Sequence, residues 1–367
     1  MMLEGVNDVR PGLPAEALGE PLTVPVGEGV LDRVLDPLGR PIDDGPPVLA
    51  ESRHLIFCPP PVPSPRQVPL RPLWTGVQAI DAFVTCARGQ RLGLIGPAGS
   101  GKTTLLRMVC RHASADLVVL ALIGERGREI FEAAREIASS VRPTVIIAAS
   151  PHDPPALRRL AAFSATAVAE HFRAMGLHVL LGIDSLTRLA HAQREVGLAL
   201  GELPATRAYP PSVFGLLPQL IERAGPTADG SITGFYSVLV ESEDLSDPIA
   251  EVAMASLDGQ AILARRLSNR AVYPALDLQQ SLSRQMRHIA SPDHQAAAVE
   301  VRRLVQTYEE SRDLIDCGLY RPGANPILDR AVQLRPALER FMTQSPAEGR
   351  DQADTLAALH GMFASLV

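Results

Sequence analysis

The segment IGPAGSGKTT, running from Ile95 to Thr104, holds the only lysine among the chain's 35 basic residues; every other one is arginine. Gly96, Pro97, Ala98, Gly99, Ser100, Gly101, Lys102 and Thr103 fill the pattern G-x-x-x-x-G-K-[ST], and Thr104 follows. Glycines at these positions let the backbone turn its N–H groups inward as an anion nest. A helix starting there adds its positive dipole end. Lys102 would reach the β- and γ-phosphates of a nucleotide, and the Thr103 hydroxyl would ligate Mg²⁺. Lysine is a compact charge on a thin stem, whereas arginine is a wide planar fork. A nest closed around phosphates has room for the first only, which accounts for the single lysine. Two carboxylates could complete this chemistry. Asp184 ends the run VLLGID, and an acid at the C-terminal edge of a parallel strand can hold Mg²⁺ directly or through water. Glu125 lies just past the run LVVLALIG. Two roles are open to it. It can polarise a water for in-line attack on the γ-phosphate, or it can serve as a helix N-terminal charge, as Glu129 and Glu132 do.

The elements that must hold these groups are legible as alternating patterns. RLGLIG, LVVLALIG, TVIIAAS and HVLLGID are short apolar runs separated by helical periodicity. That alternation predicts βαβ units and a parallel sheet, which SITGFYSVLV extends. The phosphate loop follows the first run and opens the helix TTLLRMVCRHA, the context its motif requires. Residues 1–45 are rich in Gly, Pro and Val and read as short strands and turns. The stretch 59–72, PPPVPSPRQVPLRP, is a connector that cannot be helical. From Ser291 the pattern is helical to the end. The expected organisation is therefore an α/β core at 46–290, preceded by the strands of 1–45 and followed by a helical domain at 291–367.

Composition narrows the partners. A net charge of −6 gives no general attraction to nucleic acid or anionic lipid. Cys58, Cys86, Cys110 and Cys317 are scattered, with no CxxC pair and no zinc-like histidine spacing. Free thiols fit a reducing cytoplasm. The N-terminus has acids where a secretion signal needs a basic patch and an apolar run, and no apolar stretch approaches the length of a membrane span.

Longer blocks carry a family resemblance. LWTGVQAIDAFVTCARGQR, GERGREI, DSLTRLAHAQREVGLALGELPATRAYPPSVFGLLPQLIERAG, GSITGFYSVLVESEDLSDPIAE, VYPALD and SLSRQM occur in this order over nearly the whole chain. Together they resemble the ATPases of type III secretion systems, including the flagellar export ATPase, which are relatives of the catalytic subunits of F- and V-type rotary ATPases. The resemblance implies a RecA-like P-loop core, a remnant of an N-terminal β-barrel over 1–45 and a C-terminal helical domain. It places Glu125 on the family's catalytic glutamate, followed by Arg126. Arg188 of DSLTR falls on an arginine facing the γ-phosphate. Arg284 of SLSRQM falls on an arginine finger given to a neighbouring subunit's site. Tyr273 of VYPALD matches the tyrosine that packs on adenine, and Tyr320 of CGLYRPG is a candidate for the other wall of that pocket.

ATP and Mg²⁺ are the implied ligands, and the implied assembly is a homohexameric ring with sites at subunit interfaces. The implied work is chaperone release, substrate unfolding and export, at the cytoplasmic face of the inner membrane. Stator and central-stalk proteins are the implied partners, docking on the C-terminal helices, along with chaperone–substrate complexes, and no nucleic acid. Both flagellar and virulence export fit. A transcription-termination RNA helicase would need an RNA-binding domain and basic central loops. A non-catalytic ring subunit would lack Glu125. Three departures stand out. Only the last part of the barrel can be matched, which leads to the expectation of a mostly monomeric chain whose ATPase rate rises with concentration. The chain also has LDGQAILARR and AVYPA where the family commonly differs.

Overall fold

The computed structural model describes residues 3, 10, 12–17, 19–61, 71–137, 142–241 and 245–364. The start at Met1 and Met2, residues 62–70 of the Pro-rich connector and residues 242–244 of the ESEDLSD run lie outside the described residues.

Before the phosphate loop's own strand come β1 (Thr23–Val26), β2 (Arg33–Leu35), β3 (Ser52–Leu55) and a short antiparallel pair, Pro72–Leu73 with Cys86–Ala87. The apolar runs then form β4 (Arg91–Gly96), β5 (Leu117–Ile123), β6 (Thr144–Ala149), β7 (His178–Asp184) and β8 (Ser231–Leu239). Two short strands follow, β9 (Gly259–Ile262) and β10 (Leu282–Ser283). Among the described residues the main sheet has nine strands, in the order β10-β9-β4-β8-β7-β5-β6-β2 with a short Gly225–Pro226 strand on β8 outside this path. All neighbours in that order run parallel except β10 on β9.

β8 does not extend the sheet at an edge. It sits between β4 and β7, and Ile232 to Val238 are all buried, as suits a strand covered on both faces. The alternation of side chains along β5 divides the interior. Leu117, Val119, Ala121 and Ile123 enter one core, while Val118, Leu120 and Leu122 enter the other.

The helices follow from the intervening segments: α1 (Gln78–Phe83), α2 (Lys102–His112), α3 (Gly127–Ile137), α4 (Pro155–Ala174), α5 (Leu186–Ala199), α6 (Pro211–Ile221), α7 (Pro248–Ser256), α8 (Pro292–Glu310), α9 (Pro326–Met342) and α10 (Gln352–Ala364). Residues of α4, α5, α6 and α7 fill the first core, and those of α1 and α2 the second. The helical region begins as the sequence indicates. Ser291 caps α8 by accepting from His294 N, and Pro292 takes the first turn, where a missing N–H costs nothing. Val301 and Leu304 of α8, Leu334 and Leu338 of α9, and Leu359 of α10 share the second core with α1 and α2. No helix among the described residues is long and apolar enough to cross a membrane.

The strands of the N-terminal segment pair beyond residue 45, the expected end of the barrel remnant. β1 pairs antiparallel with β3, across that boundary. β2 joins the main sheet, with Arg33 opposite Val145 and Leu35 opposite Ile147 of β6. The free edge of β6 accepts any short apolar strand that reaches it. Nothing local in RVL announces a partner more than a hundred positions away.

Candidate active site

The phosphate loop leaves the C-terminal end of β4 and enters α2. Two of its glycines have identifiable reasons. A Cβ on Gly96 would stand 2.7 Å from the Leu263 carbonyl oxygen, so the close approach of the segment after β9 excludes a side chain there. Gly101, the residue before α2, has φ +91, in the left-handed region that glycine enters at no steric cost. Ser100 Oγ donates to Pro97 O at 2.8 Å, which closes the loop on itself. Lys102 is buried, and its Nζ donates to the carbonyls of Gly96 and Pro97 at 2.8 Å each. Burial lowers the Lys102 pKa to about 8, and the Asp184 charge acts against that.

Asp184 is buried at the end of β7, and its peptide bond to Ser185 is cis. Its Oδ2 has no hydrogen-bond partner among the described residues. A buried carboxylate oxygen left unpaired is costly unless something outside the chain satisfies it. The interaction of its charge with both Lys102 and Glu125 puts the three groups in one site. The residues present therefore fit a hard divalent cation brought with a nucleotide.

Glu125 is buried between β5 and α3. Its carboxylate stands 3.0 Å from Arg188 Nη2. Burial pushes its pKa up to about 8, the protonated carboxyl donating to Glu129 adds to this, and Arg188 opposes it. Glu129, in the first turn of α3, is correspondingly held low by accepting that hydrogen bond and keeps its charge. Arg188 occupies the first turn of α5, where Ser185 accepts from its backbone N. It also donates through Nη1 to the Gly124 carbonyl. Arg188 thus clamps the GERG turn onto the Asp184 strand end. Arg126 is exposed beside it.

Tyr273 lies across the loop from Gly101, its hydroxyl donating to Ser268 O at 3.1 Å. It borders an open cavity of about 470 Å3 lined also by Ser100, Gly101, Thr104, Gln344 and Pro346. Tyr320 does not line this cavity, contrary to expectation. Its hydroxyl donates to Asp329 at the start of α9, and that carboxylate also accepts from Gly323 N at 3.0 Å. Tyr320 thereby closes the turn into α9, and the wall facing Tyr273 comes from residues 343–346 after that helix. Gln344 organises that wall. Its backbone N donates to Tyr273 O at 2.8 Å, and its buried side chain accepts from Gln78 N and donates to Gly76 O and Glu348 O. An amide following a helix end carries no sequence signal for this role.

Arg284 is exposed, and the structure sets it apart from the other groups. Ser283 pairs with Gly259, and Gly259 pairs with Leu92 at the start of β4. The phosphate loop leaves the far end of that strand, at Gly96. At about 3.3 Å per residue the two ends are roughly 13 Å apart along the strand, with β9 between. Arg284 therefore does not reach its own chain's phosphate loop.

A family model described as the ATP synthase alpha/beta family, nucleotide-binding domain, matches residues 76–283, and one described as the T3SS EscN ATPase C-terminal domain matches residues 290–361. The chain belongs to the type III secretion branch of the ATP synthase alpha/beta family. It is an ATPase. The flagellum-specific ATP synthase of Salmonella typhimurium is 44% identical over 374 residues, covering 99% of this chain and 82% of that one. The assembled ATPase EscN of the enteropathogenic E. coli type III secretion system superposes with a TM-score of 0.94 at 39% identity, covering 100% of this chain and 88% of that one. EscN in complex with its central stalk EscO gives 0.86 at 39% identity, covering 94% and 84%.

Proposed function

We propose that this ATPase hydrolyses Mg·ATP at interfaces between identical subunits of a ring and that the hydrolysis drives type III protein export, flagellar or virulence-associated. The placement of Arg284 at the opposite strand end from the phosphate loop carries the proposal, since it leaves each chain with a site that only a neighbour's arginine completes. The assembled form of EscN, at 39% identity, supports the ring. Its complex with a central stalk supports a stalk partner here. The work then belongs at the cytoplasmic face of the inner membrane, with stator proteins and chaperone–substrate complexes as further partners.

The residues divide the chemistry. Loop N–H groups and the α2 N-terminus bind the phosphates, and Lys102 exchanges its two loop carbonyls for phosphate oxygens. Thr103 and Asp184 would hold Mg²⁺, which when bound offsets charge on the β- and γ-phosphates. Glu125, once ionised, orients and polarises the attacking water, and Arg188 holds Glu125 in place beside the γ-phosphate. Arg284 of the adjacent subunit neutralises charge developing on the transferred group. Tyr273 stacks on the base against residues 343–346.

Glu125→Gln keeps the shape and removes the base. Turnover should fall by about 10²–10⁴-fold while nucleotide affinity holds. Retained turnover would remove Glu125 from the mechanism. The wild-type rate per chain should also rise with protein concentration, because Arg284 arrives from a neighbour.

A further inference from the structure

A second cluster of chemically capable groups lies away from the nucleotide, where the β1–β3 pair rests on α4. One ring nitrogen of His54, the Cys58 sulfur and a carboxylate oxygen of Glu170 all lie within 4.8 Å of one another. They come from β3, from the segment just after it, and from the C-terminal part of α4. We propose that this cluster is a binding site for one thiophilic divalent ion of the zinc class, which fastens the N-terminal strand pair to the core.

The contacts around the cluster are those that orient metal ligands. His54 Nδ1 is 2.9 Å from the Leu55 carbonyl, so Nδ1 carries the proton and Nε2 keeps a free lone pair. A metal-binding histidine needs its other ring nitrogen held in this way. Glu170 is buried and fixed by Arg223, which donates to Oε1 at 2.9 Å and to Oε2 at 2.6 Å. A carboxylate offers about four lone-pair sites, so this pairing leaves room for an ion. The backbone is held too. Arg223 Nη1 donates to Ile56 O at 2.7 Å, and the Phe57 ring packs on Phe163 of α4 with centroids 5.0 Å apart.

The donor set decides the class of ion. One sulfur, one imidazole nitrogen and one carboxylate oxygen form a mixed set that zinc accepts, with water in the fourth position. Calcium and magnesium take oxygen ligands, so a set with one sulfur and one nitrogen among its three donors disfavours them. Cys58 is only partly buried, and burial together with the Glu170 charge raises its thiol pKa. On binding, the S–H bond breaks, the sulfur–metal bond forms and one proton leaves to solvent, with no change of oxidation state. The sequence hid this set because Cys58 and Glu170 lie far apart along the chain and share no motif spacing.

Cobalt(II) titration of the nucleotide-free, reduced chain tests the proposal. The expected result is one ion per chain, with a thiolate-to-cobalt charge-transfer band that one equivalent of zinc abolishes. Cys58→Ser should lose the band, and His54→Ala should keep a band but bind cobalt at least about tenfold more weakly. Both variants should melt close to the wild type in metal-free buffer, since both side chains are only partly buried. Absence of the band in the wild type would overturn the site. So would a band that survives Cys58→Ser and disappears in Cys317→Ser, which would trace binding to the exposed Cys317.

Discussion

The dependence of kcat/KM on pH follows from two buried groups that must hold opposite protonation states. Glu125 acts only when ionised, and burial together with its bond to Glu129 pushes its pKa up to about 8. Lys102 binds phosphate only when charged, and burial brings its pKa down to about 8. Because kcat/KM reports the free enzyme, both values enter directly. At pH 7 about one Glu125 in ten is ionised while Lys102 is nearly all charged, and at pH 9 the fractions reverse. The product peaks near pH 8 and falls about threefold one pH unit to either side. The perturbation that isolates the rising limb is Glu129→Gln. It removes the charged carboxylate that accepts the hydrogen bond of protonated Glu125, so Glu125 ionises at lower pH and the rising limb moves to the acid side. The Lys102 limb should stay in place, widening the plateau. The assay is steady-state phosphate release between pH 6 and 10 at fixed free Mg²⁺ and a protein concentration that saturates assembly. A flat profile over that range, or a rising limb unmoved in Glu129→Gln, would refute the protonation scheme.

Two other substitutions bear on how the nucleotide is held. Lys102→Arg should weaken ATP binding or turnover by at least about a hundredfold although the chain uses arginine at every other basic position, because the wide planar fork does not fit the buried nest that the Lys102 ammonium fills. An active Lys102→Arg enzyme would leave the single lysine unexplained. Gln344→Ala removes the side chain that ties residues 343–346 to Gly76 and Gln78, leaving buried backbone groups unpaired at about 1–3 kcal/mol each. ADP affinity should fall about tenfold, measured by calorimetry. Pyrophosphate, which has no base to stack, should bind as before. Equal losses for both ligands would show that the segment supports the phosphate loop and not the base pocket.

The parts of the site that depend on local chemistry were legible in the sequence. The phosphate loop needs its glycines and lysine within nine positions, and the strand-end acids need only follow apolar runs. RLGLIG and HVLLGID therefore single out Lys102 and Asp184 as candidates, whereas LVVLALIG leaves two roles open for Glu125, and only the family resemblance chooses between them. The start of the C-terminal helices at Ser291 was legible for the same reason, a cap followed by proline. What was not legible depends on contacts between distant segments. The pairing of β2 with β6, the central place of β8 and the substitution of residues 343–346 for Tyr320 are choices among partners of similar local character. Tyr320 is an aromatic in the expected stretch, but its hydroxyl donates to Asp329 and it does not line the cavity beside Tyr273. The protonation of Glu125 was equally hidden, since its value follows from burial and from Glu129 across the turn.

The central claim is that hydrolysis is completed between subunits, and mixing two inactive variants tests it most directly. Lys102→Ala removes the phosphate side of every site, and Arg284→Ala removes the finger side. In rings assembled from an equal mixture, a site on an Arg284→Ala chain beside a Lys102→Ala neighbour has both groups intact. Random assortment makes such interfaces about a quarter of the total, so the mixture should recover about a quarter of the wild-type rate. Recovery no greater than the sum of the two variants alone would contradict the claim and return Arg284 to a role within its own chain.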